Sequence, residues 1–176
     1  MHSEFITSVP YLYTERLILR EYRRQDFEAF AAHLADPESA AHLGPTDRHA
    51  AWRIFCSQAG LWLLDGAGWW AVEEKESGRL VGSVGAFFRE DASVMELGWN
   101  TYRACWGQGF ATEAAAAAVR HALEIRREPK VRALIASANA SSLRVARHLG
   151  LTYEGDTEIV GKTVGVYARE RDGAAV

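Results

Sequence analysis

The fold is decided by one stretch, Trp106-Gly107-Gln108-Gly109-Phe110-Ala111-Thr112-Glu113. Two glycines flank Gln108, and helix-forming residues then continue to Arg127, just before Pro129. A glycine-rich turn that opens a helix leaves backbone N–H groups without partners at the positive end of the helix. That end is suited to a phosphate or pyrophosphate, although a Gly-x-Gly alone is equally typical of a tight turn into a well-packed helix.

Composition predicts one ordinary globular domain spanning residues 1–176, with a core at about 14–170. Hydrophobic residues make up 48% and charged residues 24% of the 176 residues, and the net charge of −3 does not indicate nucleic-acid binding. Cys56 and Cys105 do not suggest a disulfide framework, and no Cys/His spacing suggests a metal site. We expect neither a signal peptide in residues 1–10 nor a membrane span, and therefore a cytoplasmic location.

Hydrophobic periodicity and turn residues predict a mixed α/β sheet with element order β-α-α-β-β-β-α-β-α-β-β. The predicted strands are 17–22, 69–74, 79–88, 94–100, 131–138, 151–158 and 164–169. The first helix is expected at 27–35 with Asp26 as its cap, and the second from Thr46 or Asp47 to about Gly60. A third helix follows the glycine loop, and a fourth begins at Asn139 or Ser141 and ends at Gly150. Strand 131–138 is expected to be buried on both faces, and 61–68 is ambiguous.

Three further features line up with the glycine loop. Glu96-Leu97-Gly98-Trp99 lies on the strand that leads into it, thirteen positions separating Glu96 from Gly109. The strand after the long helix ends in Asn139-Ala140-Ser141-Ser142, and Thr14-Glu15-Arg16-Leu17-Ile18-Leu19-Arg20 opens the domain.

Together these features resemble the GNAT superfamily of acyl-CoA-dependent N-acyltransferases over roughly residues 14 to 170. The superfamily loop reads Gln/Arg-x-x-Gly-x-Gly/Ala, and Trp106, Gly109 and Ala111 take its first, fourth and sixth positions. Tryptophan at the first position departs from the general pattern but is common in the branch that acetylates ribosomal-protein N-termini. The opening segment of this chain, residues 14–20, also resembles that of the same branch.

The resemblance implies that acetyl-CoA is the cosubstrate and that no metal is needed. The amides of Gly107 to Thr112 would hold the pyrophosphate, with added donors from the side chains of Gln108 and Thr112. The pantetheine arm would pair with the backbone of Trp99, Asn100 and Thr101 in a gap between two parallel strands, and an N–H near Trp99 would polarise the acetyl carbonyl. Asn139 and Ser142 are expected to contact the cofactor.

Acetyl transfer to an amine requires a base for the ammonium and an acid for the departing thiolate. Glu96 is the candidate base, acting through a water, but a strand carboxylate facing solvent or paired with an arginine would look the same. Many family members use a tyrosine seven residues after the asparagine as the acid, and that position is Ala146 here. Ser142 is the replacement candidate, although a hydroxyl at a helix start also caps the backbone.

The expected activity is transfer of an acetyl group to a primary amine by direct attack. The amine is either a protein N-terminal α-amine or a small molecule. The resemblance implies that the first two helices, their loop and the last hairpin form its pocket, with the stretches 35–47 and 156–163 among them. An acyl-CoA-binding sensor without chemistry is the alternative, and a protein-interaction domain would leave the glycine loop unexplained. Exposed edge strands would permit a homodimer. Cys105 reads as structural rather than nucleophilic, and the exposed Arg144 and Arg147 are weak candidates for the adenosine 3′-phosphate.

Overall fold

The computed structural model describes residues 8–41, 44, 46–90, 92–159 and 161–173. Its strands are β1 (Leu12–Tyr13), β2 (Leu17–Arg20), β3 (Gly68–Glu74), β4 (Leu80–Phe87), β5 (Met95–Thr101), β6 (Lys130–Ile135), β7 (Thr152–Ile159) and β8 (Lys162–Glu170). Its α-helices are α1 (Phe27–Ala35), α2 (Arg48–Asp65), α3 (Phe110–Arg120) and α4 (Ala140–His148). A π-helical turn, His121–Ile125, extends α3.

All eight strands form one sheet in the order β1-β2-β3-β4-β5-β6-β8-β7. Every pairing is antiparallel except that of β5 with β6. The predicted mixed α/β class and order of elements are confirmed, with the two-residue β1 as an addition.

Two hydrophobic clusters form the core, a larger one between the sheet and α3 and a smaller one between α1 and α2. Met95, Leu97 and the partly buried Trp99 pack with the alanines of α3 in the larger cluster. Side chains alternate along a strand, so Glu96, Gly98 and Asn100 project to the other face. On that side His33 of α1 stacks on Tyr102, with ring centroids 5.0 Å apart.

Capping explains where three helices begin. Asp47 accepts a hydrogen bond from the backbone N–H of Ala50 at 2.8 Å, and Asn139 accepts one from Ser142 at 3.1 Å. Gly109, with φ of 80°, opens α3 in a conformation that glycine adopts without strain. The prediction that Asp26 caps α1 is wrong, because its carboxylate accepts instead from Arg20 and from the N–H of Arg23.

Two further expectations about the elements are corrected. Helix α2 passes through Gly60 and ends at Asp65, because Trp62 is buried in the core and the left-handed Gly66 is what terminates the helix. Strand β6 is buried on one face only, since Val131, Ala133 and Ile135 are buried while Lys130, Arg132 and Leu134 are half-buried.

Candidate active site

The cleft of the candidate site lies between the parallel strands β5 and β6. The two strands pair only at Met95 with Val131 and at Glu96 with Arg132. Strand β5 nevertheless continues to Thr101 and β6 to Ile135, so the strands separate beyond Glu96. Because parallel strands end on the same side of a sheet, the start of α3 and the start of α4 meet at the open end of this gap.

The glycine loop lies at that open end with its backbone exposed. Gly107 and Gly109 have φ of 75° and 80°, a region in which other residues are strained, and both are exposed together with Gln108. The side chain of Trp106 is 47% exposed and donates its indole N–H to the carbonyl of Thr101 at 2.7 Å. The side chain of Phe110 is buried, so this residue offers a ligand only its backbone.

An ion pair that the sequence did not reveal holds the loop in place. Glu113, in the first turn of α3, accepts hydrogen bonds from the hydroxyl of Thr14 at 2.6 Å and from the backbone N–H of Arg16 at 2.9 Å. Arg16 also pairs with the Glu113 carboxylate at 2.6 Å, donates to the carbonyl of Gln108 at 2.9 Å and covers the ring of Phe110. Burial acts to raise the pKa of Glu113, but the hydrogen bonds from Thr14 and Arg16 outweigh it and hold that pKa below its usual value.

Two of the predicted residues meet across the gap. The indole N–H of Trp99, on β5, donates to the hydroxyl oxygen of Ser142, on α4, at 3.2 Å. The side-chain oxygen of Asn139 accepts hydrogen bonds from the backbone N–H of Ser142 at 3.1 Å and from the hydroxyl of Ser141 at 2.9 Å. The hydroxyl hydrogen of Ser142 therefore remains available to a bound ligand.

Glu96 lies at the closed end of the gap, on the other face of the sheet. Its buried carboxylate receives three hydrogen bonds from Arg89, the shortest 2.6 Å, and has Arg132 at 3.8 Å. The Glu96 carboxylate raises the pKa of Arg89 above its ordinary value. The sequence did not predict these two arginines as partners of Glu96. Arg89 reaches Glu96 from the loop after β4, and Arg132 lies beside it because of the register between β5 and β6.

An aromatic plate lines the same face next to Glu96. The Trp69 ring lies over Gly85 and Gly98, where an added Cβ would come within 2.6 Å and 2.4 Å of its carbons. Phe87 packs beside it with a centroid distance of 5.4 Å. The acceptor stretches predicted at 35–47 and 156–163 are described only in part, since residues 42, 43, 45 and 160 lie outside the described chain.

The remaining candidates carry less chemistry. Cys105 is buried, and burial raises the pKa of its thiol, which disfavours the reactive thiolate. A cavity bordered by Asn100, Thr101 and Ala111 measures about 10 Å³, room for a single water, so a cofactor would lie along the open cleft. In the described residues, no group of three or more His, Cys, Asp or Glu side chains is gathered to hold a metal ion.

The comparisons with known proteins agree with this geometry. The model of the GNAT acetyltransferase domain matches residues 16–152, and the chain therefore belongs to the GNAT acetyltransferase family. An acetyltransferase from Agrobacterium tumefaciens has the same fold, with a TM-score of 0.84 and 30% identity over 97% of this chain and 99% of that one.

Two other relatives mark the extent of the similarity. The Bacillus subtilis protein YkkB is 35% identical over 107 residues, which are 60% of this chain and 62% of that protein. RimL, a ribosomal alpha-N-protein acetyltransferase solved with coenzyme A, shares the fold at a TM-score of 0.77, with 16% identity over 93% of this chain and 99% of that one.

These findings confirm the predicted family, whose members are acyltransferases, and the likeness in fold to a Rim-type enzyme. The roles assigned to single residues stay predictions. Among the described helices, none is both long and apolar enough to cross a lipid bilayer.

Proposed function

We propose that this protein is an acetyl-CoA-dependent N-acetyltransferase that moves the acetyl group to a primary amine by direct attack in a ternary complex. The observation that carries the proposal is the separation of β5 from β6 after a two-residue ladder, with the starts of α3 and α4 at its open end. Backbone N–H groups at two helix starts then converge on one gap, where a phosphate and an amide-rich arm both find donors.

The pyrophosphate of the cofactor would lie on the amides of Gly107 to Thr112. The first N–H groups of a helix have no partner within it, and the helix dipole favours an anion there. The exposed Gly107, Gln108 and Gly109 allow close approach, while Arg16, paired with Glu113, holds the loop through the carbonyl of Gln108. The pantetheine arm would follow the backbone of Trp99 to Thr101 towards Asn139 and Ser142.

Ser142 is the proposed acid for the departing thiolate. Its oxygen accepts from Trp99, which leaves its own hydrogen to donate to sulfur in the gap. Glu96 and Trp99 project to opposite faces of β5, and Ser142 lies on the side of Trp99. If Glu96 is the base and Ser142 the acid, the two would therefore approach the reacting carbon from opposite sides. Such an arrangement suits an amine arriving on one face and a thiolate leaving on the other.

Glu96 is the proposed base, acting through a water because its carboxylate is buried. Three hydrogen bonds from Arg89 occupy both oxygens of this carboxylate, where a base would have to accept a proton. Glu96 could instead serve to position Arg89 and Arg132 beside the acceptor, and the two roles predict different mutant behaviour.

The acceptor is proposed to enter on the face formed by Trp69, Phe87 and Gly98, and to be either a protein N-terminal α-amine or a small-molecule amine. RimL acts on a ribosomal protein α-amine, which supports the first class by fold alone. The exposed edge strand β7 would permit a homodimer. Action in the cytoplasm and a single domain over 1–176 stay predictions.

The first experiment measures the thermal midpoint with acetyl-CoA, with coenzyme A and with neither. A ligand bound only by the folded state adds about 2.7 kcal/mol of stability at a hundredfold excess over its Kd. Thiol release is then followed with a panel of amines and N-terminal peptides. An unchanged midpoint with both ligands would overturn the proposed cofactor site, and a shift without turnover on any amine would indicate the sensor.

A further inference from the structure

A second concave surface lies towards the other end of α3, away from the glycine loop. This surface, here termed the basal groove, has a volume of about 590 Å³ and lies between the end of α3 with its π-helical turn, the end of α4 and the end of β8. Arg120, in its wall, is ten residues beyond Phe110, or about 15 Å along the helix axis. The basal groove is therefore separate from the proposed cofactor cleft.

The wall of the basal groove carries an excess of positive charge. Its charged lining residues are Arg120, Glu124, Arg127, Arg169, Arg171 and Asp172, besides His148. Four guanidinium groups against two carboxylates leave two net positive charges, with His148 neutral. Asp172 is paired with Arg169 at 3.7 Å, so it does not neutralise the other three arginines.

In the part of the chain that the structure describes, those three arginines lack protein partners. Within the described residues, the side chains of Arg120, Arg127 and Arg171 make neither an ion pair nor a hydrogen bond, whereas Arg16, Arg20 and Arg89 are all paired with carboxylates. The Nε of Arg171 is fully buried and still without a partner there. A buried donor without a partner is costly. Arg171 as a whole is half-buried and lines the groove, so a ligand there would contact the outer nitrogens of its guanidinium group.

The backbone holds two of these side chains in place. Arg127 has φ of 61°, the single positive φ among the described non-glycine residues, and such strain is common where a structure serves a ligand. The backbone N–H of Arg171 donates to the carbonyl of Pro129 at 2.9 Å, which ties the end of β8 to the turn after α3.

The floor of the basal groove is apolar. It is formed by the small exposed parts of Val119, Leu123 and Leu149, whose side chains are 3%, 3% and 4% exposed. Small-molecule sites typically combine such a floor with a few polar groups in a volume of about 300 to 1,000 Å³. Guanidinium groups match phosphate oxygens with two parallel hydrogen bonds.

We propose that the basal groove binds a phosphorylated small molecule of nucleotide size, its phosphates on Arg120, Arg127 and Arg171 and its apolar part on the floor. This site does not rest on the proposed function, because none of its residues belongs to the cofactor cleft.

The test is calorimetric titration of ATP and of inorganic pyrophosphate into the full chain, in which substitutions confined to the basal groove separate binding there from binding in the proposed cleft. We expect both to bind. Arg120→Gln and Arg171→Gln should each weaken binding about tenfold, the loss of one charge-assisted contact. Arg53→Gln, an exposed arginine of α2 outside the groove, is the matched control and should leave the affinity unchanged.

Arg120 is exposed, so Arg120→Gln should keep the fold even if Arg171→Gln does not. Tighter binding of ATP than of pyrophosphate would support a contribution from the apolar floor. Absence of binding by the wild-type chain, equal binding by Arg120→Gln, or an RNA oligonucleotide that binds far more tightly than ATP would each overturn the proposal. Arginine-dependent ATP binding by a protein that does not bind coenzyme A would overturn the proposed function and leave this site standing.

Discussion

Gly98 occupies a position where one methyl group is expected to matter. An alanine Cβ there would lie 2.4 Å from the Trp69 ring, which already lies against Gly85 and has Phe87 beside it at a centroid distance of 5.4 Å. Gly98→Ala should therefore destabilise the fold by about 1–3 kcal/mol, the usual cost of overpacking. Urea unfolding of the purified variant measures the change.

Gly60→Ala is the matched control, because nothing lies within 4 Å of a Cβ at Gly60 in the interior of α2. It should stabilise the protein by about 0.5–1 kcal/mol through helix propensity. Trp69→Leu in the Gly98→Ala background should recover part of the loss. A Gly98→Ala variant as stable as wild type would contradict the contact with Trp69.

Substitution of Glu96 separates the two roles proposed for it. If Glu96 is the base, Glu96→Gln should lower kcat/KM by roughly 100-fold or more. Steady-state thiol release measures this change in kcat/KM.

Arg89→Gln is the companion variant, because it releases Glu96 from its pairing and leaves the carboxylate in place. If Glu96 is the base, Arg89→Gln should retain most of the activity, because the carboxylate is still present. If Arg89→Gln instead loses as much activity as Glu96→Gln, the carboxylate serves to position Arg89.

At the scale of elements, Glu113 joins the opening segment to the first turn of α3. Three donors from Thr14 and Arg16 converge on its carboxylate. Glu113→Ala should free Arg16 from the loop and weaken coenzyme A binding about threefold to tenfold, the effect of one or two hydrogen bonds. Calorimetric titration with coenzyme A measures the loss.

Glu76→Gln, in the exposed turn between β3 and β4, is the control and should bind coenzyme A as the wild type does. Wild-type affinity in Glu113→Ala would show that the loop keeps its shape without this anchor.

A buried ion pair joins β2 to the start of α1. Arg20 and Asp26 contact each other at 2.7 Å with side-chain exposures of 4% and 5%. In Asp26→Ala, Glu73 is the only carboxylate of the described residues still paired with the buried Arg20. We therefore expect the free energy of unfolding, measured in urea, to fall by roughly 3 kcal/mol. Glu28→Gln breaks the exposed pair with Arg48 and should leave stability unchanged; an equal loss in both variants would contradict the role of burial.

At the scale of the whole molecule, two buried histidines make stability depend on pH. Burial lowers the pKa of His33, partly offset by Asp36, and burial together with Arg126 lowers the pKa of His121, both from 6.5. Below about pH 6.5 the unfolded chain binds these protons more readily than the folded one. Stability should therefore be full above that pH and fall as the pH decreases through 6.5 towards 5.

Thermal midpoints measured between pH 8 and about 5 test this, since the carboxylates titrate mainly at lower pH. The double variant His33→Gln, His121→Gln should show a flatter dependence, whereas His49→Gln, an exposed control on α2, should not. An unchanged slope in the double variant would assign the dependence to other groups.

The sequence was sufficient for features that depend on neighbouring residues. The glycine loop, the alanine-rich helix and the helix starts near Thr46 or Asp47 and at Asn139 or Ser141 are local, because each rests on the backbone within one turn, and the structure selects Asp47 and Asn139 as the caps. Their order along the chain was enough to predict the family and the mixed sheet. The prediction that α2 ends at about Gly60 was wrong, because the packing of Trp62 in the core outweighs the low helix propensity of a single glycine.

Tertiary structure alone decided which distant groups meet. Glu113 lies 97 positions from Arg16, and no local pattern encodes their contact. Strand register places Arg132 beside Glu96 and separates β5 from β6 directly afterwards. The physical reason is that periodicity and capping act within a few residues, whereas ion pairs and clefts depend on how the whole sheet is assembled.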